Sequence, residues 1–316
     1  MTGSSPAPLA VTMGEPAGIG GEIALKAWTR RAEGLAPFFI IDDPARLQSL
    51  ARNLGLAAPI KVIERPGEAA AIFVSALPVL KTSLAVDTVP GKPEPANAEA
   101  VMAAIETAVR LTMDGEAGAV VPNPIHKSTL YKAGFSYPGH TEFLAALSGI
   151  DTAPVMMLAA DDLRVVPVTI HESLRDATKI LNTGLITQAG LVTAAALEAD
   201  FAISRPRLAV AGLNPHAGED GAMGSEEAEI IRPAVEALRN AGIEAFGPVP
   251  ADTLFTPRKR ETFDAALCMY HDQALIPIKA LAFDRAVNVT LGLAFVRTSP
   301  DHGTALAIAG TGKADE

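Results

Sequence analysis

LAVTMGEPAGIGGEIALKAWTRR, Leu9 to Arg31, is the stretch on which the reading of the fold turns. Leu9 to Met13 is a short apolar run with strand character. Ile19 to Arg31 carries helix formers with apolar residues at helical spacing, and a glycine-rich turn, MGEPAGIGGE, joins the two. A strand feeding a helix through a tight turn is the repeating unit of parallel α/β sheets. Working outward, the same alternation recurs. Phe38 to Ile41 reads as a strand and Ala45 to Leu54 as a helix. Asn97 to Met113 reads as a long Ala-rich amphipathic helix, and Ala117 to Val121 as a strand. Arg207 to Leu213 and Ala265 to Tyr270 are short apolar runs, each followed by a loop and a helix. The expectation is an α/β chain with a largely parallel sheet covered by helices. VPGKPEPANAE, Val89 to Glu99, is the Pro- and Gly-rich segment that reads as an exposed connection. The turn Met13 to Glu22 has neither G-x-G-x-x-G nor the Lys of a Walker loop, so it reads as a tight structural turn at a strand's carboxyl end.

The bulk properties narrow the function classes. With 316 residues, 49% of them hydrophobic and 20% charged, the chain has material for two domains or one large one. Mean hydropathy is +0.25, yet no apolar run reaches the roughly 18 residues of a membrane span. The net charge of −10, without a basic stripe, argues against nucleic acid as a partner. The densest basic cluster, Arg258 to Arg260, reads as a solvated helix start. The single cysteine, Cys268, lies in AALCMY and is expected to be buried filler in a reducing compartment. Met1 to Pro8 lacks the pattern of a secretory signal, so the expected location is the cytoplasm.

Three of the six histidines share a context. His171 follows RVVPVTI, His216 lies in NPHAGEDG after RLAVAGL, and His271 opens HDQALIPIK after AALCMY. Ligands of parallel α/β sheets sit beyond the carboxyl ends of the strands. Three imidazoles there suit a divalent metal with coordination positions left open for chemistry; the competing reading is three unrelated polar loop residues. In YPGHTEFLAAL, Thr141 reads as a helix N-cap and Glu142 as a first-turn acid. His140 and the Thr141 hydroxyl then stand beside free backbone N–H groups, an anion or polar-substrate site, or simply a capped helix. The segment NVTLGLAFVRTSPDHGTALAIAGTG, Asn288 to Gly312, carries Arg297, Asp301, His302 and Gly303. Its glycines and its His and Asp fit a nucleotide-binding loop, and an ordinary loop is the alternative.

MGEPAGIGGE, PNPIHK, YPGHTEF, VTIHESLRD, NPHAGEDG, MYHDQALIPIK and RTSPDHGTALAIAGTG occur together in one order across the chain. With them the sequence resembles the 4-hydroxythreonine-4-phosphate dehydrogenase family of pyridoxal phosphate biosynthesis. The resemblance implies an isocitrate/isopropylmalate dehydrogenase-like fold, two α/β/α domains with a central cleft. By that analogy residues 1–130 and 285–316 form the first, cofactor-side domain. Residues 131–284 form the second, with the metal ligands and the dimer interface. It implies that His171, His216 and His271 bind a divalent metal (Zn, Mg or Co), and that His140, Thr141, Lys279, Asn288 and Arg297 contact the substrate. Asp301, His302 and Gly303 would bind NAD or NADP, and a homodimer would carry the active site at the subunit interface. The family's first motif often reads MGDPAGIGPE, where this chain has Glu15 and Gly21. Ala307 stands where an Asp is common, and relatives usually continue past Glu316 into one more helix.

The implied reaction is metal-dependent, NAD(P)-linked oxidation of 4-phosphooxy-L-threonine to a β-keto acid that loses CO₂. Asp252, in VPADTLF, or Lys279 would take the hydroxyl proton. Arg297 and Lys279 would meet the anionic ends of the substrate. Three alternatives share these motifs or this metal chemistry: a dehydrogenase of threonate or erythronate phosphates, a zinc-dependent lyase or hydrolase, and a binding protein on the same scaffold.

Overall fold

In the computed structural model of the chain, residues 6–137, 139–150 and 152–316 are described. Met1 to Ser5 of the N-terminal reading and Pro138 of YPGHTEF lie outside them. The chain divides into two compact units, Met1–Asp151 with Leu293–Glu316, and Thr152–Gly292.

Five strands of the first unit come from the N-terminal part: β1 (Leu9–Thr12), β2 (Phe38–Asp42), β3 (Ile60–Ile63), β4 (Leu77–Lys81) and β5 (Val120–Pro122). The second unit contains β6 (Val155–Ala160), β7 (Leu163–Pro167), β8 (Arg207–Ala211), β9 (Glu244–Val249), β10 (Ala265–Cys268) and β11 (Val287–Leu291). The chain then returns to the first unit as β12 (Arg297–Ser299).

The sheet of the first unit runs β3-β4-β2-β1-β5-β12, every pair parallel. β2, FFIID, is buried along its whole length, as a central parallel strand must be. Its side chains alternate between two faces. Phe38 and Ile40 pack with Leu25, Trp28 and Leu47. Phe39 and Ile41 pack with Ala104, Ile105 and Leu144. Helices Gly20–Thr29 and Pro44–Asn53 thus cover one face, and Ala98–Met113 and His140–Ser148 the other. The Trp28 indole donates to the Phe73 carbonyl at 2.9 Å, so its polar edge is satisfied in the core.

The second unit runs β11-β6-β7-β10-β8-β9. β7, β10, β8 and β9 are parallel neighbours, while β6 is antiparallel to both β7 and β11. The departure from a fully parallel sheet has a local cause. Asp161 and Asp162 are all that separates β6 from β7, a hairpin connection that a parallel pair cannot use. One face packs on helices Thr183–Ala199 and Arg232–Asn240, the other on His271–Ala282. Each unit is therefore an α/β/α layer arrangement, as the alternating pattern predicts. Cys268 is fully buried, and burial pushes its thiol far above the ordinary range, which suits inert filler.

The unit boundaries differ from residues 130 and 285. Phe143 and Leu144 of helix His140–Ser148 are buried in the same cluster as Val101 and Ile105, which holds residues 140–148 in the first unit. β11 pairs over five residues with β6, which holds 287–291 in the second. The segment Val89 to Glu99 connects elements within the first unit and contains a short 3₁₀ turn, Pro95–Asn97. No single helix among the described residues is long and apolar enough to cross a membrane.

At Gly190 the helix Thr183–Ala199 comes so close to Leu238 that a Cβ there would lie 2.6 Å from the leucine Cδ2. Leu238 is fully buried, and the neighbouring backbone leaves little room for relaxation into a void. Leu238→Ala is expected to cost about 2–5 kcal/mol, read as a lower midpoint in urea denaturation. A loss under ~1 kcal/mol would contradict this packing.

Candidate metal and substrate residues

β10 lies between β7 and β8, with Ala266 level with Val165 on one side and Ala209 on the other. The chain leaves all three strands in the same direction. His171, His271 and His216 follow on the three adjacent carboxyl-end loops. Hydrogen bonds beyond the strands tie these loops together. Val168 N donates to the Cys268 carbonyl at 2.8 Å, and the buried Thr169 hydroxyl donates to the Met269 carbonyl at 2.8 Å. Gln273, also buried, accepts from Met269 N at 2.6 Å and donates to the Gly212 carbonyl at 2.7 Å. The His171 and His271 rings stand 6.1 Å apart between centroids. Two imidazoles on one tetrahedral zinc, with Zn–N near 2.0–2.1 Å, have centroids roughly 5 Å apart, so the two rings stand wider than a shared ion requires. Nδ1 of His271 meets Asp272 Oδ1 at 2.7 Å.

His216 sits differently. From His216 to Asp220 the backbone is left-handed throughout, with φ between 42° and 79°. Four of these five residues are not glycine, and each pays roughly 1–2 kcal/mol for that conformation. Such strain persists only where the surroundings over-determine it. Among the described residues no three His, Cys, Asp or Glu side chains are gathered into a metal-ready cluster. The structure thus brings His171 and His271 together and leaves His216 exposed on the neighbouring loop. Asp252 is exposed in the short helix Ala251–Leu254 that follows β9. Lys279 is half-buried on the helix that His271 opens, and Asn288 is half-buried on β11.

In the first unit, His140 is the first residue of its helix and Gly139, in extended backbone, is the N-cap. Thr141 is therefore not the cap; it is already in helical conformation, two residues past the Gly139 cap, and no side chain caps this end. Glu142 is in the first turn, as expected. His140 Nε2 is sealed from solvent without a hydrogen-bond partner among the described residues, although part of the ring remains accessible. Burial, reinforced by Arg297 and Lys127, pushes its pKa down to about 3, so the ring is neutral at pH 7. Arg297 opens β12 and is itself buried, which pulls its guanidinium down to about 10, still charged at neutral pH. A guanidinium cation and a neutral imidazole are thus held at low solvent access.

Lys127 went unnoticed in the sequence reading although PNPIHK contains it. It starts the short helix Lys127–Lys132, and its Nζ lies 3.1 Å from where a Cβ on Gly139 would be.

The glycine-rich turn is a structural link, as its sequence suggested. Gly14 has φ +63°, and a Cβ there would meet Asn123 and the Pro124 carbonyl at 2.7 Å. Glu15 N donates to that carbonyl, and Asn123 donates to the Thr12 carbonyl. Burial raises the Glu15 carboxyl pKa against the opposing pull of the Ala17 N–H, His126 and Arg46. Gly21 abuts Arg46, whose guanidinium binds Asp42 at 2.6 Å and the Pro16 carbonyl at 2.7 Å. The C-terminal loop returns to this turn, with Ile19 N donating to the Thr304 carbonyl at 3.1 Å. Asp301, His302 and Gly303 are exposed on that loop. A cavity of about 740 Å³ in the same unit is walled by Pro16, Gly18, Asp43, Arg46, Asp87 and Gly310, among others. Its position beyond β1, β2 and β4 and its size are those of a small-molecule or nucleotide pocket. Asp301, His302 and Gly303 are not among its walls.

Comparison with known proteins gives a consistent answer. Residues 34–316 match the family described as pyridoxal phosphate biosynthetic protein PdxA. A 4-hydroxythreonine-4-phosphate dehydrogenase from Bradyrhizobium diazoefficiens is 55% identical, over 98% of this chain and 92% of its own. The crystal structure of a 4-hydroxythreonine-4-phosphate dehydrogenase from Klebsiella pneumoniae superposes with a TM-score of 0.89 at 38% identity, over 98% of this chain and 95% of that one. A terephthalate 1,2-cis-dihydrodiol dehydrogenase from Burkholderia xenovorans gives 0.67 at 29% identity, over 98% and 94%.

His140 generates a pH prediction. Its folded pKa, about 3, lies below the ordinary 6.5, so the unfolded chain binds the extra proton as pH falls. The stability tied to the neutral ring is complete above 6.5 and is lost progressively as pH falls from 6.5 toward 3. Melting curves across this window should show a shallower decline for His140→Gln than for wild type, by up to one proton per molecule. Identical slopes would mean that His140 titrates normally.

Proposed function

The chain belongs to the pyridoxal phosphate biosynthetic protein PdxA family, and from that premise we propose that it is a 4-hydroxythreonine-4-phosphate dehydrogenase. The reaction is the NAD(P)-linked oxidation of 4-phosphooxy-L-threonine to 2-amino-3-oxo-4-phosphooxybutanoate. This β-keto acid loses CO₂ to give 3-amino-2-oxopropyl phosphate. The observation that carries this reading is 55% identity to a named dehydrogenase over 98% of the chain. The relatives' names favour it over the aldonate-phosphate and the lyase or hydrolase readings.

His171, His216 and His271 would hold the divalent ion, whether zinc, magnesium or cobalt. Support comes from the three adjacent strand ends, the 6.1 Å approach of two rings and the Asp272 contact behind His271. When bound, such an ion lowers the pKa of the substrate hydroxyl and stabilises charge on its oxygen. NAD or NADP supplies the hydride acceptor. Asp301, His302 and Gly303 would bind that cofactor. Arg297 would fork onto a carboxylate or phosphate, and Lys279 would bring a compact charge. His140, neutral and with an unsatisfied Nε2, would hydrogen-bond the substrate beside Thr141, and Asn288 would add a polar contact. Asp252 or Lys279 would take the hydroxyl proton. A cytoplasmic homodimer with its site at the subunit interface completes the proposal.

The test is formation of reduced nicotinamide from 4-phosphooxy-L-threonine, with and without a chelator. Turnover should need the metal. His171→Ala and His271→Ala should each lower kcat/KM by about a thousand-fold, the scale of several kcal/mol of charge stabilisation. Metal-independent oxidation, or metal-dependent substrate loss without reduced nicotinamide, would overturn this reading.

A further inference from the structure

The left-handed turn that carries His216 is gripped by one buried carboxylate. Glu227 is 2% exposed and opens a π-type turn, Glu227–Ile231, of the kind that recurs at functional sites. Its Oε1 accepts from Leu213 N at 2.8 Å and Asn214 N at 2.7 Å. Its Oε2 accepts from Asn214 Nδ2 at 3.0 Å, and the same amide donates to Glu226 Oε2 at 2.8 Å. No basic side chain pairs with Glu227 among the described residues, so the partners of its oxygens are these N–H groups. The loop closes over the carboxylate from both sides. A Cβ on Gly218 would lie 2.6 Å from Oε2, and one on Gly212 would lie 3.3 Å from Oε1.

We propose that Glu227 is the positioning residue for His216: its carboxylate fixes residues 213 and 214 and thereby aims the imidazole two residues later. The inference rests on the reading of His216 as a metal ligand. The logic is physical. Four non-glycine residues in left-handed backbone relax to ordinary conformations unless something holds the turn. The buried carboxylate, bonded at the turn's entrance and contacted by Gly218 in its middle, is that hold. Glutamine at this position keeps the shape and one acceptor oxygen for the two backbone N–H groups, but turns Oε2 into an N–H donor that cannot accept from Asn214 Nδ2 and so loosens the grip on residue 214.

The experiment is cobalt(II) binding, followed by visible absorption and by competition with a chromophoric chelator. It compares wild type, Glu227→Gln, His216→Ala and the double variant, with melting curves of the metal-free proteins alongside. Glu227→Gln should lower affinity by about 10–100-fold, the usual scale for groups that orient ligands, and alter the cobalt bands. The double variant should bind no more weakly than His216→Ala, because both changes remove one ligand. Wild-type affinity and spectrum in folded Glu227→Gln would overturn the proposal while leaving the metal reading intact. So would additive losses in the double variant. Wild-type binding by His216→Ala would overturn both. If Glu227→Gln does not fold, Asn214→Ala, which removes the side-chain donor to the same carboxylate, is read by the same criteria.

Discussion

The backbone pairing of β10 with β7 on one side and β8 on the other is the constraint on which the candidate metal residues depend. Parallel strands leave a sheet in one direction, so three loops far apart in sequence emerge side by side. Thr169 and Gln273 extend that pairing past the last strand residues with buried side-chain-to-backbone bonds. The sheet supplies the rigidity, and the polar bonds carry it into the loops.

A chain with a net charge of −10 has no long-range field to attract a phosphorylated acid. In the proposed reading, capture relies on local groups whose solvent has already been removed. Arg297 and His140 have this property, one buried as a cation and the other as a neutral ring with an unsatisfied nitrogen. The first unit has its own internal braces. Asn123 and Glu15 join the ends of β1 and β5, Arg46 joins β2 to the glycine-rich turn, and Ala314 N donates to the buried Glu22.

Strand and helix alternation was legible because its periodicities are local. Phe38 to Ile41, Ala45 to Leu54 and Asn97 to Met113 fall within a residue or so of the observed elements. The antiparallel insertion of β6 was not legible, since it depends on which edges pair rather than on composition. Thr141 was misplaced as a cap because glycine in extended backbone starts a helix as well as a hydroxyl residue does, and Gly139 precedes it. The three histidines were visible from their matched strand-end contexts. The left-handed turn at His216 was not, because its cause is a carboxylate at Glu227, eleven residues downstream and without a motif spacing.

Crystals soaked in zinc, measured on both sides of the zinc absorption edge, address the shared-ion claim most directly. The account predicts one dominant anomalous peak about 2.0–2.1 Å from a ring nitrogen of each of His171, His216 and His271. Peaks on only one of these rings, or zinc bound elsewhere with all three free, would contradict it.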